Sequence, residues 1–222
     1  MTVRNGQRPA ATPRDQRSLF VDSFRWLAEK QANTNEQVEN LGYEELGKRY
    51  PRAQPGELSL SRRNNFRLDL LAKGKYLYLE PTPKSKKASS IQPVVGVDYD
   101  WSLPDRPNIS LRVGLFGYSV EAPLAAIGIR FETPLDTKAP HNYHHAQLFS
   151  RFLKPAPGVE LLPSCPPWLP DTFPGLPLPT NSPVGLVACL LISLYGTNYS
   201  GFTDVIGQQI WAALQPGYLA SN

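Results

Sequence analysis

VVGVDYDW (94–101), NISLRVGLF (108–116) and AIGIRFE (126–132) are three runs in which apolar residues recur at every second position. Val95, Val97, Tyr99 and Trp101 alternate with Gly96, Asp98 and Asp100; Ile109, Leu111, Val113 and Leu115 alternate with Ser110, Arg112 and Gly114; Ile127, Ile129 and Phe131 alternate with Gly128, Arg130 and Glu132. Successive strand side chains point to opposite faces, so each run reads as a strand with one buried face. The connections are short and lack helical periodicity, which predicts antiparallel neighbours rather than crossovers through helices. Asp98 and Asp100 then share a face, where solvated carboxylates are the ordinary expectation.

Upstream, Phe66, Leu68 and Leu70 alternate with Arg67 and Asp69, Lys73-Gly74 supplies a turn, and Tyr76 to Glu80 returns as a second arm. The pattern predicts a hairpin and, with the three later runs, a five-strand meander. Residues 141–152 read as a sixth strand or a loop. Helices flank this sheet. Leu19, Phe20, Phe24 and Leu27 fall at three- and four-residue spacing behind Ser18, predicting a helix over 18–31. Thr34 and Gln37 have capping-box spacing and open a second, which Tyr50-Pro51 stops.

Ten prolines lie between 155 and 183, around Cys165. Proline fixes φ and removes a donor, so this tract is predicted to cross the surface extended and stiff, as neither helix nor interior strand. Behind it, Ser182 as cap, Pro183 at the first helical position and Gly196 after the last turn frame PVGLVACLLISLYG, apolar nearly all round and therefore buried. Phe202, Val205, Ile206, Ile210, Trp211 and Leu214 mark a last amphipathic helix, ended by Pro216-Gly217. The fold class is α+β: an antiparallel β-meander of about five strands flanked by N-terminal and C-terminal helices. Residues 1–17 are expected to be a disordered basic arm, and 18–222 one domain with a proline-rich loop at 155–183.

The formal charge of the 222 residues is +4, with Arg4, Arg8, Arg14 and Arg17 in the arm and Lys84, Lys86 and Lys87 in one polar loop. Such a balance permits nucleic-acid contact without demonstrating it. Two cysteines are too few for a disulfide scaffold, and no apolar run follows the charged start, so a reducing cytoplasm is the expected setting. The longest apolar run, about a dozen residues from Val184, is shorter than the roughly 20 a spanning helix needs.

All three histidines fall in His141-Asn142-Tyr143-His144-His145. In an extended segment His141, Tyr143 and His145 share one face and His144 takes the other. Two imidazoles suit a metal, yet no further ligand spacing accompanies them, and no metal site and no cofactor are predicted. The ordinary role of such histidines is hydrogen bonding at a strand end, which is the reading for His144. Cys189 lies in the apolar helix and reads as an inert core thiol. Cys165, on the rigid loop before Pro166, Pro167 and Trp168, is the candidate nucleophile. No basic side chain lies near it in sequence, so His141 would have to reach it through the fold. Phosphate-binding, dinucleotide-binding and nucleophile-elbow motifs are absent. Tyr76, Tyr78 and Tyr99, with Arg62, Arg63, Lys73 and Lys75 near them, form a weaker candidate for stacking on a single strand.

The succession of N-terminal helix, antiparallel meander, Pro140-His141-Asn142, loop cysteine Cys165, Trp168 and C-terminal helices resembles the ubiquitin-conjugating E2 and RWD superfamily over residues 18–214. E2 enzymes carry His-Pro-Asn shortly before the catalytic cysteine; here the order is Pro-His-Asn and Cys165 follows His141 by 24 residues. The resemblance implies that Cys165 accepts a ubiquitin-like protein as a thioester, with Asn142 as oxyanion donor; His141 remains the basic neighbour that the fold would have to supply. His145, Tyr143, Trp168, Lys84, Lys86 and Lys87 are then candidate binding residues. Non-catalytic relatives use the same fold as a protein-binding platform, so a subunit of a larger assembly, touching nucleic acid through its basic loops, is the alternative. Whether the chain is an enzyme stays open at this point.

Overall fold

The structure, a computed structural model, describes residues 13–31, 44–53, 75–82, 91–101, 103, 106–117, 126–134, 143–149 and 175–214. Helices α1 (Pro13–Gln31) and α2 (Glu44–Arg49) precede six strands: β1 (Leu77–Tyr78), β2 (Gln92–Asp100), β3 (Asn108–Phe116), β4 (Ala126–Glu132), β5 (His145–Phe149) and β6 (Leu176–Pro177). Helices α3 (Pro183–Tyr195) and α4 (Val205–Trp211) follow, with a 3-10 turn at Ser200–Thr203 between them. The sheet runs in chain order β1 to β6, and every neighbouring pair is antiparallel.

The two-residue period places one set of side chains under the helices. Val95, Val97, Tyr99, Ile109, Leu111, Val113 and Phe131 are buried there against Phe20, Phe24 and Leu27 of α1 and Leu186, Val187 and Leu190 of α3. Phe20 anchors the layer: its ring stacks on Tyr99 at 5.5 Å and meets Phe24 edge-on at 5.0 Å. Helix α3 matches its sequence frame. The Ser182 hydroxyl accepts from the Gly185 amide at 3.1 Å, and Gly196 closes the helix at φ 79°. Among the described residues no helix is long and apolar enough to cross a membrane.

Several expectations change. Helix α1 starts at Pro13 rather than Ser18, so residues 13–17 belong to the helix and not to an arm; proline's fixed φ suits a first helical turn. Of the second expected helix, the described part is α2. The first expected hairpin arm, 66–70, lies outside the described residues; the expected second arm contains β1, which pairs with β2. Residues Gln92–Val97 of β2 are buried on both faces, so alternation of exposure holds only at Asp98–Asp100. Tyr50, after α2, is the physical reason: its ring covers Phe116 at 5.3 Å and Tyr76 at 5.5 Å on the face away from α1. The proline tract ends in β6, where Pro177 occupies an outer strand, the place a residue without an amide is tolerated.

Candidate functional site

Cross-strand register assembles a polar array on the sheet face turned away from α1 and α3. Gly96, Arg112, Arg130 and Gln147 stand in one row across β2 to β5, and Asp98, Ser110, Glu132 and His145 in the next. Arg112 directly opposite Arg130 would be unfavourable without compensation. Each has a carboxylate: Arg112 Nη2 lies 2.9 Å from Asp98, and Arg130 Nε lies 2.8 Å from Glu132. Arg130 Nη2 also donates to Gln147 Oε1 at 2.6 Å. The Arg112–Asp98 pair is half exposed, whereas the Arg130–Glu132 pair is largely covered, with Glu132 at 12% side-chain exposure. The Ser110 hydroxyl, in the middle of the second row and 6% exposed, has no hydrogen-bond partner among the described residues.

At the β5 end the array meets the histidine segment. His145 is buried, with Nδ1 3.0 Å from the Tyr143 carbonyl and Nε2 3.5 Å from Glu132 Oε2. The Tyr143 hydroxyl donates to the Gly175 carbonyl at 3.3 Å, and the Leu178 amide donates to the His144 carbonyl at 2.9 Å. A Cβ on Gly175 would stand 2.8 Å from His145 Cδ2, so the backbone entering β6 lies flat on the imidazole. His144 immediately precedes β5 and is half-buried. Burial, and secondarily His145, lowers its pKa to about 4, so it is neutral near pH 7.

Of the candidate residues, His145 and Tyr143 are brought together, their rings edge-on at 5.8 Å. Cys165, His141, Asn142, Trp168, Lys84, Lys86 and Lys87 lie outside the described residues. Among the described residues no three His, Cys, Asp or Glu side chains converge as a metal site would need. Cys189 is a core thiol, pushed up to about 12 by burial. The tyrosine platform is overturned: Tyr76, Tyr78 and Tyr99 are all buried, and the Tyr78 hydroxyl is shared by the Leu46 carbonyl at 3.2 Å and the Tyr50 carbonyl at 2.7 Å. Those rings are core, with no faces open to bases. Asp98 is the outer-face carboxylate expected, but its pairing with Arg112 was not anticipated. Arg112, Arg130, Ser110 and Glu132 were legible only as the polar half of an alternation; their adjacency needed the register.

A second cluster lies where α1 meets the C-terminal helices. Trp26 Nε1 donates to Asp204 Oδ2 at 3.0 Å, and Lys30 Nζ reaches the same oxygen at 2.8 Å. A small pocket beside it is lined by Leu27, Lys30, Leu79, Glu80, Tyr195 and Tyr199. The Tyr195 hydroxyl donates to the Glu80 carbonyl at 2.6 Å, which ties α3 to the end of β1. This is joinery between elements. No family model, no curated protein and no solved structure matches the chain.

Proposed function

We propose that the protein is a protein-recognition platform with E2/RWD-like element order, acting in the cytoplasm, whose polar sheet face meets its partner. The observation that carries this reading is the layering. Helices α1 and α3 cover one face of the sheet, while the other presents Asp98, Arg112, Arg130 and Gln147 as a fixed pattern of donors and acceptors. Polar arrays of this type give specificity and register more than affinity. The test is a photo-crosslinking residue placed at Asp98 or at Val205 on the far helix. Capture of one defined protein from the Asp98 position only, lost on Arg112→Glu, supports the platform; equal capture from both positions removes the sheet face from the function.

One observation keeps a thioester carrier as a second reading. Tyr143 is bonded to Gly175, so the chain leaving Asn142 and the chain leaving the proline tract run side by side. Cys165 precedes Gly175 by ten residues, a span of at most about 33–36 Å. Under this reading a reducible adduct forms on Cys165 when the protein is incubated with a ubiquitin-like protein, its activating enzyme and ATP. Cys165→Ala abolishes the adduct, and absence of an adduct on the unaltered chain ends the carrier reading.

A further inference from the structure

We propose that the pocket where α1, the end of β1 and α3 meet is a binding site for a small aliphatic ammonium group. Its volume is ≈ 30 Å³, and it is lined by Leu27, Lys30, Leu79, Glu80, Tyr195 and Tyr199. One water needs about 10–15 Å³ of such space, so the pocket takes an ammonium with its first methylene but not the four heavy atoms of a guanidinium. Leu27 and Leu79, each 3% exposed, form an apolar floor. Tyr195 and Tyr199 stack beside it, ring centres 4.7 Å apart and planes 20° apart. Glu80 is exposed, which puts its carboxylate at the rim.

The molecule already holds one ammonium by this chemistry. Lys30 Nζ lies 5.2 Å from the centre of the Trp26 ring and 2.8 Å from Asp204 Oδ2, a ring and a carboxylate acting together. The pocket repeats that combination with the tyrosine rings and Glu80. Among the described residues Glu80 makes no ion pair, so the second set lacks the cation that the first one has. Lys30 also lines the pocket, but Asp204 at contact distance offsets its charge, and Glu80 is left to set the sign.

Two further features favour a cationic donor over an anion. The Tyr195 hydroxyl gives its proton to the Glu80 carbonyl at 2.6 Å, so the oxygen has only acceptor capacity left. Burial raises the pKa of both phenols, Tyr199 to about 12, and the Glu80 carboxylate adds to the rise in each. Both rings are therefore neutral near pH 7 and lie in the field of one carboxylate. An ammonium relieves that field, whereas an anion adds to it.

The ammonium can belong to a free alkylamine or to a lysine side chain, and the experiment separates the two. The full chain is titrated with n-butylammonium chloride and with Nα-acetyl-lysine N-methylamide, against sodium chloride and sodium acetate at equal ionic strength, while the ring resonances of Tyr195 and Tyr199 are followed by NMR. Saturable shifts at both rings with a millimolar Kd are expected, because a head group of so few atoms has a low ceiling of affinity. Glu80→Gln changes an exposed side chain and keeps the backbone carbonyl that Tyr195 uses; it should weaken binding about tenfold. Tighter binding of the lysine derivative assigns the site to a side chain of a partner protein, and tighter binding of butylammonium assigns it to a free amine. No saturable shift with either amine, an affinity unchanged in Glu80→Gln, or stronger binding of acetate overturns the site. The pocket lies on the helical side of the sheet, so the result is independent of whether the sheet face or Cys165 carries the function.

Discussion

Gly175 shows how much depends on a missing methyl group. Alanine there would drive its Cβ to 2.8 Å from His145 Cδ2, so either the ring or β6 must move. Overpacking of this kind costs about 1–3 kcal/mol, and because β6 is a small unit the loss should be local. Gly175→Ala is expected to remove exchange protection at Leu178 with little change in the urea midpoint of the whole chain. Tyr78 is the contrasting case. Its hydroxyl, fully inside, answers the carbonyls of Leu46 and Tyr50, the last turn of α2 and the residue after it. Tyr78→Phe strands those acceptors at a cost of about 1–3 kcal/mol, readable as a lower urea midpoint with an unchanged slope.

The elements were legible to different depths. Helix α3 was fully framed by local chemistry: cap, first-turn proline, unbroken apolar run and closing glycine all act within the segment. Ser182→Ala should therefore destabilise the fold by about 1 kcal/mol, measured by thermal or urea denaturation. Strands β2, β3 and β4 were legible because alternation at period two survives wherever one face is polar. Alternation failed at Gln92–Val97, where Tyr50 arrives from a distant part of the chain and buries the second face. Strand β6 was hidden by composition, since a proline-rich run has no apolar period to read and its pairing is decided by β5. In α4, Val205 fits an apolar face by spacing yet is 73% exposed, because the helix opens at that residue and turns Ile206 and Ile210 inward.

At the scale of the molecule, acid stability should follow His144. Its ordinary value is 6.5 and burial lowers it to about 4, so the folded state binds its proton later than the unfolded state. The sign follows from that order. Stability from this group is complete above about pH 6.5, where both states are neutral, and is lost progressively as the pH falls towards about 4. The urea midpoint should decline across that window, and His144→Gln should flatten the decline. A decline identical in the variant would place the effect on other groups.

The presence and order of α1, β1 to β4 and α3, the antiparallel sense of the meander and the buried C-terminal helix were determined by the sequence alone. Each rests on contacts or steric limits that reach only a few residues: a cap and its amide, a two-residue alternation, a proline's locked φ. The polar array could not be obtained that way, because Asp98, Arg112, Arg130 and His145 belong to four strands and become neighbours only through register. The same is true of the packing of β6 on His145. His145 was conspicuous as one of three clustered histidines, but the facing Glu132 and the bare Gly175 against its ring were supplied by tertiary structure, which brings together positions far apart in the chain.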